Sequence, residues 1–217
     1  MSIDFILLVI VKSIAFALLV RYWKTLPIAY KLVILPAALS LVVEVVGRYI
    51  ALVLQQSNVW IFNIYALIQM LLLGTAGYLF ADRKVLKQVI LSLMITCTLF
   101  WIWYAVYIDI RTLFNWFFVT SSLAVVVTYI LVIIDKALFR GQKIFTQPLF
   151  LISISYIIFS ASVIPLFGVM NMLINTNMDV ARSLFTINRV ANILCFALIT
   201  IAFYLYCKQE MRGYVRQ

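Results

Sequence analysis

The chain alternates long apolar runs with short polar punctuation. Runs at about 3–20, 32–54, 59–80, 88–108, 113–134, 148–170 and 187–207 carry few charges or none. A helix needs about 20 residues to cross a ~30 Å hydrocarbon slab, and all seven runs come close to that length or exceed it. They are apolar on every face, so the alternating ten-residue segments of a transmembrane β-barrel do not fit. The pattern predicts an all-α polytopic membrane protein: residues 1–217 as a single bundle of seven transmembrane helices, with connections too short for a separate soluble domain. The first run, MSIDFILLVIVKSIAF, holds Asp4 where a signal peptide has a basic region, and is expected to be a retained helix.

Breakers and small residues refine this outline. Pro36 falls early in the second helix, Pro148 opens the sixth, and Pro165 lies inside it, where the missing N–H should free a carbonyl. Gly74 and Gly77, with Ala76 between them, offer a small surface for close helix approach. Residues 171–185, NMLINTNMDVARSLF, read as the longest polar connection, either a plain connector or a lid over the bundle mouth. IFNIY and LFNWF both place an Asn just after the start of a helix, too short a match to establish a repeat.

Composition agrees with a bilayer environment, since 66% of residues are hydrophobic and 11% charged. The net charge of +10 could suggest nucleic acid, but its distribution points elsewhere. Twelve of the 17 Lys and Arg form four clusters: Arg21, Lys24, Lys31; Arg83, Lys84, Lys87; Lys136, Arg140, Lys143; and Lys208, Arg212, Arg216. With alternating helices all four fall on one side, and the other side has only Arg111 and Arg182 in its loops. The positive-inside rule then places the N-terminus outside and the C-terminus in the cytoplasm, in a plasma (inner) membrane. The expected partners are the lipid bilayer and its anionic inner leaflet, not nucleic acid. Tyr22, Trp23, Tyr204 and Tyr206 near inner ends, with Trp60, Trp101, Trp103, Tyr107 and Trp116 toward outer ends, suit interfacial belts. Cys97, Cys195 and Cys207 have no evident partner across an oxidising loop, so no disulfide is expected.

Polar residues inside the apolar runs mark the candidate site. At 1.5 Å per residue Glu44 lies about 16 Å and Arg48 about 10 Å below the outer end of helix two, while Lys12 lies about 13 Å down helix one. Gln69 on helix three reaches a similar depth. Nearer the outer surface come Asn63 on helix three, Asn115 on helix five, and Arg189 with Asn192 on helix seven. Thr120, Ser121, Ser122, Ser160 and Ser162 extend the layer toward the centre, and the inner half of most helices is plainer. Charges facing lipid at mid-depth cost about 2.5 to 3.5 kcal/mol each, so these faces should turn inward, with Lys12 pairing Glu44. Two readings follow. Glu44 either only neutralises Lys12 or Arg48 while the arginines reach outward to phosphates, or Lys12, Arg48 and Arg189 against one carboxylate leave a positive excess that an anionic small ligand or lipid head group completes.

Several chemistries are disfavoured. The chain has no histidine, which removes Ser-His catalysis and imidazole metal sites. Asp4, Asp82, Asp109, Asp135 and Asp179 fall at helix ends or in loops, not as a mid-membrane pair, and no phosphate-binding glycine loop is present. No enzymatic activity, metal or cofactor is expected.

VEVVG at 43–47, NVWIFNIYALIQ at 58–69, QPLFLISISYIIF and NRVANILCFALITIAF at 188–203 together resemble a group of small seven-helix integral membrane proteins of Bacteroidota. The resemblance runs along the whole chain in order and implies a heptahelical fold with no particular activity. Members often carry an acid at the position of Gln69, so the amide here argues against a two-carboxylate mechanism. The leading expectation is a non-enzymatic protein with an outward-facing polar cavity, ligand-binding or signal-sensing, acting on a cytoplasmic or membrane signalling partner. The alternatives are a small-solute transporter or channel, and an assembly subunit whose polar layer is structural.

Overall fold

Each apolar run folds as an α-helix, because a long apolar segment can satisfy its backbone only internally when lipid surrounds it. The computed structural model describes residues 3–138, 147–176 and 178–214. Arg140, Lys143 and Arg216 lie outside the described residues, as do the side chains of Asp4, Arg182 and Arg212. The helices are α1 (Ile3–Arg21), α2 (Ile28–Leu52), α3 (Val59–Phe80), α4 (Lys84–Tyr107), α5 (Asn115–Leu138), α6 (Pro148–Thr176) and α7 (Met178–Tyr214). Among the described residues six of them, α2 to α7, are long and apolar enough to cross a membrane.

Several helices outrun their apolar windows. α2 begins at Ile28 rather than 32, α4 at Lys84 rather than 88, and α7 at Met178 rather than 187. Hydropathy reports depth, whereas a helix continues through Lys31, Lys84 and Lys87 because their stems extend the charge to the surface. The expected connector at 171–185 is corrected in the same way. α6 runs on to Thr176 and α7 resumes at Met178, over a stretch with no Pro or Gly to stop it.

The α2–α3 connection is sharper. Gln55 adopts φ 51°, in the left-handed region that favours glycine, and the Gln56 N–H donates back to the Ile50 carbonyl at 3.2 Å, closing the helix end. Asn58 then donates its Nδ2 to the Gly47 carbonyl at 3.0 Å.

Packing follows a ring. α1 lies against α2 and α7, α2 against α3, α3 against α5, α5 against α6, and α6 against α7, while α4 packs outside on α3 and α5. The buried residues of α4, Ile90, Cys97 and Tyr104, recur every seven positions as one stripe. Its remaining faces, with Val85, Leu99 and Val106 exposed, suit lipid. Gly77 allows α3 to meet α5, since a Cβ there would come within 2.3 Å of the Thr128 methyl. At Gly74 a Cβ would meet the flexible Met94 side chain instead.

The ring is filled unevenly. Toward the α3–α4 connection it holds a closed apolar core that includes Leu19, Val33, Phe80, Val132, Ile152 and Phe203. Pro36 removes the N–H that would bond the Leu32 carbonyl, and buried tyrosines support the backbone nearby. Tyr156 of α6 donates to the Val33 carbonyl at 2.6 Å, and Tyr65 of α3 donates to the Pro36 carbonyl at 3.0 Å. At the rim of this half Lys136 pairs with Asp82, Asp135 accepts the Asp82 N–H at 2.7 Å, and Arg83 Nε lies 3.8 Å from Asp135. These bonds clamp the α3–α4 connection to the end of α5.

Candidate functional site

The other half of the ring encloses a cavity of about 360 Å³, near the low end of ligand-pocket sizes. All six ring helices contribute to its wall and α4 does not. The lining starts near the α4–α5 and α6–α7 connections, at Leu113 and Phe185, and ends at Leu73, Val125 and Phe196, where the closed core begins.

At the inner end of the cavity sits the pair expected from matched depths. Lys12 Nζ lies 2.5 Å from Glu44 Oε1. The lysine is 1% exposed, whereas the Glu44 side chain keeps 22%. The Phe196 ring lies 5.3 Å from the ammonium, so Lys12 joins α1 to both of its ring neighbours, α2 through charge and α7 through the aromatic face. With Lys12 this deeply buried, the pair holds together because its charge would be costly alone.

Of the eight residues singled out from the sequence, Lys12, Glu44, Gln69 and Asn192 line this cavity. The other four do not, and the reasons differ. Arg48 is exposed: four residues past Glu44, it is about 6 Å nearer the helix end. Arg189 is also exposed. Phe185, Asn188, Asn192 and Phe196 set the inward face of α7, and Arg189 is one residue, about 100°, around from Asn188. The positive excess expected in the cavity is therefore corrected, because its lining carries one lysine and one carboxylate.

Asn63 is fully buried and is occupied by structure. Its Nδ2 donates to the Ile110 and Thr112 carbonyls at 2.8 and 2.7 Å, and its Oδ1 accepts the Phe114 N–H at 3.2 Å. Trp101 donates to the Asn63 carbonyl at 3.0 Å. One side chain thus satisfies three backbone groups of the α4–α5 turn, which an apolar residue could not do. Asn115 is buried at the start of α5, away from the cavity, with its Oδ1 lacking a hydrogen bond.

The wall also includes residues the sequence did not single out. Asn188 lines the cavity, and its Oδ1 accepts a bond from Ser162 at 3.1 Å. Its four-residue spacing from Asn192 was the available signal. Tyr65 and six phenylalanines are indistinguishable in sequence from ordinary core residues and carried none.

Polar atoms here are only partly satisfied. Ser40 donates to the Ala37 carbonyl at 2.8 Å and Ser121 to that of Phe118 at 3.3 Å, so both hydroxyl protons are already committed to backbone. Glu44 Oε2 and Asn192 Oδ1 are buried atoms with no hydrogen-bond partner. Among the described residues no group of His, Cys, Asp and Glu could hold a metal ion. Comparison of the chain with known protein families, with curated proteins and with solved structures finds no match.

Proposed function

We propose that this protein binds a small ligand in a one-ended cavity that opens to the outer face of the plasma membrane, and that it senses this ligand rather than carrying it across. The observation behind this reading is the convergence of Lys12, Glu44, Gln69 and Asn192, from four different helices, on a cavity confined to one half of the ring. A transport route would need polar lining through the other half. There Ser153 and Ser155 bond their own helix backbone and Tyr156 is committed to Val33, within an apolar core.

The orientation rests on charge. The described members of the basic clusters, among them Arg21, Lys24, Arg83, Lys84 and Lys136, lie at the closed end and the cavity at the opposite one, so the positive-inside rule favours a cavity facing out, with the N-terminus outside and the C-terminus in the cytoplasm. Pairing of Lys136 with Asp82 leaves this argument standing, since acidic residues contribute little to the rule. α1 serves as the seventh span. It is 19 residues long, about 28 Å, its mid-helix lysine faces the ring, and Ile6, Ile10 and Ile14 face out. A heptahelical, non-enzymatic protein of this kind is in keeping with the resemblance to the Bacteroidota group.

The test is thermal stability of the purified protein in nanodiscs, titrated with 2-phenylethanol as a compact probe with an apolar body and a polar head. Saturable stabilisation is expected, and it should be lost in Ser122→Phe and in Ser160→Phe, which fill the cavity from α5 and α6. Equal stabilisation of the filled variants, or none in the parent protein, overturns the reading.

A further inference from the structure

From the balance of charge and hydrogen-bonding capacity around the cavity, we infer that its ligand is an electroneutral compound that donates a hydrogen bond to Glu44 Oε2, such as a hydroxyl group on a compact aromatic or short aliphatic body. The inference rests on the ligand-cavity reading and narrows it to a chemical class. It replaces the anionic ligand expected from the sequence.

Charge comes first. Lys12 and Glu44 are the charged side chains in the lining, and they neutralise each other at 2.5 Å. A net charge brought between them would be uncompensated at mid-membrane depth, where a single charge is costly. With Arg48 and Arg189 outside the lining, no uncompensated positive charge there draws an anion, and Lys12 beside the site opposes a cation.

Hydrogen bonding then sets the polarity of the head group. The two buried polar atoms of the lining that lack a partner are both acceptors, Glu44 Oε2 and Asn192 Oδ1. The protons of Ser40, Ser121 and Tyr65 are already given to backbone carbonyls of Ala37, Phe118 and Pro36. Gln69, Asn188, Ser122 and Ser160 bring neutral polar groups to the lining as well, but a buried carboxylate oxygen without a partner gains most from a donor.

Shape sets the body. At roughly 30 Å³ per water, 360 Å³ corresponds to about a dozen waters, room for one ring or a short chain with its head group. Phe62, Phe118, Phe159, Phe167, Phe185 and Phe196 supply the apolar wall, with Phe118 and Phe167 stacked at 4.4 Å between centroids. Such walls favour a flat apolar body.

The test compares four probes with a shared phenylalkyl body: 2-phenylethanol, its methyl ether, 2-phenylethylammonium and 3-phenylpropanoate. Dissociation constants come from ligand-observed NMR on protein in nanodiscs, with empty nanodiscs subtracted to remove partition into lipid. The alcohol should bind about tenfold more tightly than the ether, which keeps the body but loses the donor, and more tightly than either ion. Replacing the pair together, Lys12→Met with Glu44→Met, keeps the cavity neutral and should remove the alcohol's advantage over the ether. An ether that binds as well as the alcohol, or an ion that binds best, overturns the inference while leaving a ligand cavity in place. Absence of saturable binding by all four overturns the ligand-cavity reading itself.

Discussion

The two halves of the helix ring contain similar kinds of residue and use them differently. In the closed half most buried polar groups are spent internally: Ser153 on Leu149, Tyr156 on Val33 and Asp135 Oδ2 on the Asp82 N–H, while Asp135 Oδ1 makes no hydrogen bond and has Arg83 Nε 3.8 Å away. In the cavity half, Asn63 is equally spent on the α4–α5 turn, but Glu44 and Asn192, which line the cavity, each keep a buried oxygen without a partner. Buried polarity alone therefore does not mark a site inside a membrane bundle. What separates the halves is where the unpartnered oxygens sit: Asp135 Oδ1 has a guanidinium beside it, whereas Glu44 and Asn192 belong to the wall of a cavity.

The largest expected effect probes the junction of the halves. Lys12→Met leaves Glu44 without its partner and should destabilise the protein by about 3 kcal/mol or somewhat more, as breaking a buried pair does. Adding Glu44→Met should restore stability to within about 1 kcal/mol of the parent, because the pair as a whole contributes little. Reversible unfolding in mixed micelles measures both. A double variant as unstable as the single would mean that the two residues do not act as a pair.

Overpacking should separate the halves next. Ala202 is fully buried in the closed core, so Ala202→Leu should cost about 1 to 3 kcal/mol. Ser122→Leu adds comparable bulk beside the cavity and should cost less than about 1 kcal/mol, since there is space to receive it. Equal costs would mean that the cavity half is packed as tightly as the other.

A finer comparison lies within α3. At Gly77→Ala the new methyl meets Thr128, whose β-branched side chain has little freedom to move, and a loss of about 1 to 2 kcal/mol is expected. At Gly74→Ala the obstacle is Met94, which can change rotamer, so the loss should be smaller and offset by the helix propensity of alanine. Both are read from the same unfolding curves. The smallest effect is a gain: Gln55→Gly relieves a left-handed backbone position in the α2–α3 turn and should stabilise by up to about 1 kcal/mol.

Much of the bundle was legible because apolar runs of membrane length leave few alternatives. Helix ends were less so: Lys31, Lys84 and Lys87 interrupt hydropathy without interrupting the helix, and residues 171–185 are polar yet helical on either side of residue 177. In the site, depth counting brought Lys12, Glu44 and Gln69 together correctly, since rise per residue is nearly constant. Rotation around the axis was harder to read. Grouping Arg189 with Asn192, when the cavity takes 185, 188, 192 and 196 from α7, made Arg189 a cavity residue and produced an excess charge that the lining does not have. The role of Asn63 depended on the path of a distant turn, which no local pattern encodes.

The central claim, a cavity open at the outer face and closed toward the cytoplasm, is tested most directly by thiol accessibility. In a background with Cys97, Cys195 and Cys207 replaced by alanine, Asn188→Cys would place a thiol on the cavity wall and Ser153→Cys one in the closed core. A small, charged, membrane-impermeant methanethiosulfonate should modify the thiol at position 188 when added outside, and not when added only to the cytoplasmic face of inverted vesicles. The thiol at position 153 should resist the reagent from both sides. Modification of position 153 from the cytoplasmic side, or of position 188 from the cytoplasmic side alone, would contradict the account.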